Sequence, residues 1–446
     1  MVFIHELGHF VAAKLNGVEV EVFSLGWGPR LLGFRWRGTM YQVSWFPIGG
    51  YCKMKGEMVP GLAGGGAETA TPAAPQKGSF LAASTWRRVV IYVFGPLFNL
   101  LFAVLVSAVI WTVGFPMSAT DTRIVVREAV SANGDAQPFP AARAGLLTGD
   151  RIIAINGAPV TTFTDLSRAI SFSADKALIM TVQRTVDGAT QTLTKSVTPV
   201  LDKNTGQSYI GIASWLDPVV GAVRPGGAAA MAGLEGGDHV VRFDGHDVQN
   251  EWDIEMAIQS RPSRVEVTVE RGGERLDAAL VPSYDAAGAA DLGFDYVQAL
   301  KRSPRLGVVG TLRQSVSETW ETARDTVYGI GLLFRGINLR NAVAGPLGIT
   351  TLIGSTTLTG FTYGLGAGLL SFFQLLSLLS VVLFLINLLP IPAMDGGQIV
   401  LLVVEIVRRK PARPALVWRL QIIGFTLMLS LFVLVTLNDI LRQVGR

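Results

Sequence analysis

His5-Glu6-Leu7-Gly8-His9 opens the chain, and Pro390-Ile391-Pro392-Ala393-Met394-Asp395-Gly396-Gly397 ends a long apolar run near its other extremity. On a helix, residues four apart share a face, so both imidazoles can reach one ion while Glu6, beside the first, can reach a water at that ion. Asp395 can supply a third ligand. Three fixed residues in this pattern arise by chance roughly once in 8,000 positions. An ionisable side chain in an apolar, membrane-facing stretch is costly unless paired or coordinated, so such groups mark function. The two stretches together describe a metal site inside a membrane.

Working outward, the 446 residues are 49% apolar and only 16% charged, with a mean hydropathy of +0.41. That composition suits a membrane protein with soluble parts, long enough for several domains. The net charge of +4 comes without a basic, aromatic-interleaved surface, which argues against a nucleic-acid partner. Cys52 is the single cysteine, so an intramolecular disulfide and a cysteine-rich cluster are both excluded; it reads as a small apolar side chain. No cleavable signal peptide is expected, because the segment to be removed would carry the ligands.

The pattern predicts a polytopic α-helical membrane protein with about four transmembrane helices, the first truncated. Only four residues precede His5, whereas a crossing needs about 20. Val89 to Phe115, Leu365 to Leu389 and Leu416 to Leu437 read as full spans. Between Lys14 and Arg88 there are nine Lys/Arg against four Glu, and Arg408, Arg409, Lys410, Arg413 and Arg419 follow Asp395. Both loops should therefore face the cytoplasm, with the insert from residue 116 to about 300 on the other side.

Met40 to Met54 alternates around Pro47-Ile48-Gly49-Gly50, which predicts a hairpin whose apolar tip dips into the membrane. Gly61 to Gly78 reads as a flexible linker. In the insert, Ala141 to Gly157 is echoed by Ala229 to Gly245 at a period of 88 residues. Each copy reads as a short helix, a Gly-Asp turn, a strand and a hairpin turn. The copies resemble bacterial PDZ domains, which implies capture of peptide C-termini on a loop near Tyr209-Ile210-Gly211-Ile212, assigned to the second copy. His239 and His246 read as solvated. Val309, Leu312, Val316, Trp320, Ala323 and Val327 recur at helical steps, predicting an amphipathic membrane-surface helix.

Two imidazoles and a carboxylate suit Zn2+ with a position left open. Glu6 would act as the base that takes a proton from the attacking water and passes it to the leaving nitrogen. Gly8, Gly95-Pro96 and the Pro-x-Pro break should loosen helices where a cavity could open. The hairpin, through Ile48, Gly49 and Gly50, could offer a strand edge to an unwound substrate. Asn387 could hold a substrate carbonyl or tie the Pro-x-Pro loop, while Asn99 reads as structural.

These motifs, with Phe23-Ser24-Leu25-Gly26-Trp27-Gly28-Pro29, Gly95-Pro96-Leu97-Phe98-Asn99, Gly345-Pro346 and Asn387 to Gly397, resemble the site-2 protease family of intramembrane zinc metalloproteases, in its branch with tandem PDZ domains. The resemblance implies a multi-pass protein of the bacterial inner (cytoplasmic) membrane with periplasmic PDZ domains, cleaving transmembrane helices of single-pass proteins such as anti-sigma factors or remnant signal peptides. It also implies that the PDZ pair filters access by size. Two positions depart from the family: the apolar run before His5 is shorter, and Val382 stands where an asparagine often holds substrate.

The expected division is 1–115, an N-terminal membrane part with the hairpin loop; 116–213 and 214–300, two PDZ-like domains inserted between the second and third helices; 301–364, the amphipathic surface region; and 365–446, the C-terminal membrane part. Besides lipid, expected partners are the substrate helix and, at Gly211 and Ile212, peptide C-termini. The competing reading is a catalytically silent scaffold, disfavoured by four ionisable groups kept in apolar surroundings.

Overall fold

The computed structural model describes residues 1–57, 76–129, 137–285, 288–338, 344–362, 364–410 and 414–444, without the side chains of 47, 48, 128, 129, 137, 414, 443 and 444. Most of the expected linker, 61–75, and the side chain of Ile48 therefore lie outside the described residues. The chain divides into two compact units: Met1–Phe115 with Pro304–Arg446, and Pro116–Ser303.

In the first unit the helices are α1 (Val2–Leu15), α2 (Thr85–Val113), α3 (Val308–Leu332), α4 (Pro346–Thr362), α5 (Leu365–Asn387), α6 (Asp395–Arg408) and α7 (Pro414–Val444). Among the described residues, three are long and apolar enough to cross a membrane: α2, α5 and, over Ala415–Arg442, α7. At 14 residues, α1 is about 21 Å long, short of a crossing. It lies against α2 because Gly8 has no side chain: a methyl there would overlap the carbonyl oxygen of Phe94. Gly8 and Gly95 thus serve close approach. They do not loosen the helices as the sequence suggested, and α2 runs unbroken through Pro96.

Between α1 and α2 lie two long strands, β1 (Val20–Trp36) and β2 (Thr39–Met54). The sequence put one turn at Pro47–Gly50, and the chain does reverse between Val43 and Gly50, since Val22–Leu25 pairs in the same sense with Met40–Val43 and in the opposite sense with Gly50–Lys53. It also reverses at Arg37 and Gly38, a turn the sequence reading did not place. Their φ values of 45° and 81° and the pairing of Trp36 with Thr39 are those of a two-residue hairpin turn with both central residues left-handed. Val22–Leu25 then sits between Met40–Val43 on one side and Gly50–Lys53 on the other, while Leu32–Trp36 folds back on Thr39–Val43. Gly50–Met54 is left as an outer segment of the sheet. Its inner face packs Phe23, Cys52 and Met54 with Ala12, Ala13 and Ile91.

α3 is amphipathic, but its apolar side faces outward. Thr311, Ser315, Thr319 and Ala323 are buried, whereas Val309, Leu312, Val316, Trp320 and Val327 are exposed. Ala323 meets Ala103 of α2 and Val381 of α5. Glu318 accepts hydrogen bonds from Ser107 Oγ (2.6 Å) and Trp111 Nε1 (2.8 Å). Small residues at four-residue spacing let helices approach closely where lipid covers the far side. Ala323 was therefore misplaced in the apolar stripe.

In the second unit, the entering strand Pro116–Ser118 pairs with the departing strand Leu300–Arg302. Between them lie two copies of one arrangement. Each has a four-stranded sheet in the same order, Ala189–Val197, Leu178–Val186, Arg151–Ile155 and Ala158–Pro159 in the first copy; Glu274–Leu280, Val265–Arg271, His239–Phe243 and His246–Asp247 in the second. Each packs its own core, around Ile152 and Met180 or around Val240 and Val267. The Gly-Asp turns have a physical reason. Asp150 is held by Arg184 (2.7 and 2.8 Å) and Leu147 N (2.8 Å), Asp238 by Arg271 (2.6 and 2.7 Å) and Glu235 N (2.8 Å).

Ile210 and Ile212 belong to the first copy's core, and Ile212 pairs with Val126, so the loop 209–212 is the first copy's, not the second's. The second copy's counterpart is Leu292-Gly293-Phe294, where Phe294 pairs with Val223. Reading the period backward from the Gly-Asp turn hid this, because each loop closes its copy from the C-terminal side.

Candidate metal centre

α1 brings His5 and His9 onto one face, one turn apart, as the four-residue spacing requires. α5 ends at Asn387, a turn through Leu388–Met394 follows, and Asp395 is the first residue of α6. Gly396 and Gly397 allow that turn, since a methyl on either would overlap the carbonyl oxygens of Leu388 or Ile391. Gln398 Nε2 donates to Pro392 O (2.7 Å) and fixes the Pro-x-Pro segment.

The three side chains converge. His5 Nε2 lies 3.2 Å from His9 Nε2; Asp395 Oδ2 is 3.0 Å from His5 Nε2 and Oδ1 is 3.4 Å from His9 Nε2. Among the described residues, these three form the group of His, Cys, Asp and Glu able to hold an ion. A tetrahedral zinc with bonds of 2.0–2.1 Å needs donor atoms about 3.3 Å apart, so this donor set fits the metal. Asp395 Oδ2 is buried and receives no hydrogen bond, as suits an oxygen that faces a cation.

Both imidazoles are turned with their Nε2 lone pairs inward. His9 Nδ1 donates to Ile91 O (2.8 Å), which leaves Nε2 free. At His5 Nδ1 stand the side-chain amides of Asn99 (3.3 Å) and Asn387 (3.5 Å). Asn99 Oδ1 is buried without a partner; turned about, the amide places that oxygen where Nδ1–H can donate to it, again freeing Nε2. Asn99, which reads as merely structural, and Asn387 thus both address His5. Gly95 completes the cradle, because a methyl there would overlap His9 Nε2 and Cε1.

A cavity of about 350 Å³ opens on these atoms, lined also by Glu6, Gly50, Tyr51, Cys52, Glu57, Tyr92, Asn387 and Phe425. An added Cβ on Gly50 would lie 3.5 Å from Glu6 Cγ, so the outer segment Gly50–Met54 borders the carboxylate. Gly49, at φ 83°, is set against Trp27. Gly211 and Ile212 lie in the other unit, where Gly211 (φ 83°) leaves room for Phe139. His239 and His246 are exposed. Cys52 is buried, and burial pushes its thiol up.

Sequence reading passed over Glu57. Tyr92 Oη donates to its Oε1 (3.1 Å) and Met54 N to its Oε2 (3.4 Å). Burial pushes its carboxyl up to about 7, against the Tyr92 hydrogen bond, which lowers it. Its partner Tyr92 lies 35 positions away, so no local pattern marked it.

A family profile described as peptidase family M50 matches residues 1–431. A putative zinc metalloprotease of Treponema pallidum (strain Nichols) is 34% identical over 441 residues, covering 99% of this chain and 96% of that protein. The regulator of sigma-E protease RseP of Escherichia coli (strain K12) is 27% identical, covering 99% and 96%. The zinc metalloprotease RasP of Geobacillus kaustophilus (strain HTA426) is 27% identical, covering 99% and 95%. Among solved structures, the PDZ domain of EpsC from Vibrio cholerae, residues 204–305, is matched at 19% identity over 27% of this chain and 93% of that one; its TM-score of 0.12 is too low to carry an argument.

Proposed function

The chain belongs to peptidase family M50, the site-2 proteases, and on that premise we propose that His5, His9 and Asp395 hold its zinc, with Glu6 as the catalytic base. It is a zinc metalloprotease of a bacterial membrane, acting on membrane-protein substrates in the bilayer. The observation that carries the assignment is the set of separations of 3.0, 3.2 and 3.4 Å among donors from α1 and α6.

Zinc bound there supplies Lewis acidity toward the scissile carbonyl and the attacking water. Glu6 accepts the water's proton and returns it to the leaving nitrogen as the amide bond breaks. Gly50–Met54 pairs with the substrate backbone once its helix has unwound, holding the scissile carbonyl in line. Asn99 and Asn387 keep His5 in the ligating tautomer, and Ile91 does the same for His9. Asn387 borders the cavity, so a direct contact with substrate is compatible with that role.

The substrates are single-pass membrane proteins, anti-sigma factors or remnant signal peptides. The two repeats face the periplasm, where they filter access by size or take peptide C-termini on loops such as Gly211–Ile212. The exposed apolar side of α3 meets lipid.

The test is cleavage of a model transmembrane peptide by the purified chain and by Glu6→Gln, with zinc stoichiometry measured on both. One zinc per chain in each, with turnover reduced at least about 1,000-fold in the variant, is expected. Zinc bound with cleavage that ignores Glu6 overturns the assignment.

A further inference from the structure

Glu57 is a carboxylate close to the catalytic cavity that the reaction above does not use. Its two oxygens serve two elements. Oε2 accepts from the amide of Met54, the last residue of the outer segment Gly50–Met54. Oε1 accepts from Tyr92 Oη in α2. The Tyr92 ring stands edge-on to the His9 ring, with centroids 6.2 Å apart and an interplanar angle of 80°. Its neighbour Ile91 accepts the His9 Nδ1 hydrogen bond. Phe80 closes the other side of Tyr92 at 5.4 Å.

From this arrangement, and resting on the zinc assignment above, we infer that Glu57 is a positioning residue: one carboxylate fixes both the strand edge that receives substrate and the tyrosine that backs the ligand His9. A bidentate acceptor shared by two elements holds them at one separation, because moving either lengthens one of the hydrogen bonds. Tyr92 and Glu57 also line a second cavity of about 130 Å³ that ends at the Arg88–Glu405 ion pair. The Tyr92–Glu57 hydrogen bond therefore stands at the partition between the two cavities.

The two oxygens make separable predictions. Tyr92→Phe removes only the tether behind His9; it should weaken zinc binding about ten-fold, measured by chelator competition on the full chain in detergent, and leave KM for a transmembrane peptide unchanged. Glu57→Ala removes both tethers; it should weaken zinc equally and raise KM several-fold. Glu57→Gln keeps an accepting oxygen and should restore most of the zinc affinity. Wild-type zinc affinity and KM in both Tyr92→Phe and Glu57→Ala would overturn the inference, as would losses in all three variants that merely track the fraction of folded protein. The wild-type chain is the control for the underlying reading: if it binds no zinc, the metal assignment fails; if it binds zinc and the variants match it, only the role of Glu57 fails.

Discussion

Asp238 and Asp395 are both carboxylates withdrawn from water, and they keep opposite company. Asp238, in the second repeat, is surrounded by donors: the Arg271 guanidinium takes both oxygens at 2.6 and 2.7 Å, and the amide of Glu235 adds a third bond at 2.8 Å. Asp395, in the membrane unit, faces two imidazole nitrogens whose partner nitrogens are already engaged, and its Oδ2 receives no hydrogen bond. A structural carboxylate is one whose lone pairs are all satisfied by protons. A cluster of lone pairs that point at each other is stable only with a cation or a shared proton between them. The difference separates a brace from a candidate ligand without reference to sequence motif.

The largest expected effect tests that distinction. Asp395→Asn should lower zinc occupancy and cut turnover by roughly 1,000-fold or more, about 4 kcal/mol in the barrier. Zinc stoichiometry and peptide cleavage report the two quantities. Full zinc occupancy in this variant would break the comparison.

A smaller effect is expected at Gly95. Alanine there puts a methyl into the space of His9 Nε2 and Cε1, so the imidazole must turn away or α1 must move. Turnover should fall on the order of 100-fold, with the helical circular-dichroism signal unchanged. Wild-type activity would mean that the cradle can yield to a methyl group without displacing His9.

How much of this could be read from the sequence follows from the range over which each cause acts. His5, Glu6 and His9 were legible because the helix period fixes their geometry locally, and Asp395 because a lone carboxylate after an apolar run needs a partner. The three spans were legible from length and hydropathy. The packing reasons for Gly8 and Gly95 were not, because each depends on an atom of another helix, Phe94 O or His9 Nε2. Asn99 meets His5 across 94 positions, and nothing in its neighbourhood marks that. Pro47-Ile48-Gly49-Gly50 marked the reversal between Val43 and Gly50, whereas the left-handed pair Arg37-Gly38, which makes a second and tighter turn, gave a weaker signal. On α3, hydrophobic spacing was read as the packed side, whereas the small residues Thr311, Ser315 and Thr319 are the buried ones and the apolar ones face out.

The smallest effect sharpens the other half of the comparison. The Arg271 guanidinium beside Asp238 holds its carboxyl below the usual carboxylate range. A depressed value means that the folded state binds the proton less readily than the unfolded chain. The stabilisation is therefore present above about pH 4, the ordinary carboxylate value, and is lost as pH falls through the lower folded value. Hydrogen exchange of Val265–Arg271 in the full chain should be flat in its stability from pH 8 to 5 and should weaken below pH 4. Asp238→Asn should remove that acid dependence and cost about 2 kcal/mol at neutral pH. This lies below the range for a fully buried pair because the Arg271 side chain is 33% exposed. Asp150→Asn, which meets Arg184 in the same geometry at 2.7 and 2.8 Å, should weaken the first repeat to a similar degree. Neither change should alter zinc stoichiometry, because a brace supplies stability to its own repeat and no donor to the metal; zinc loss in either would show that the two kinds of carboxylate are not independent.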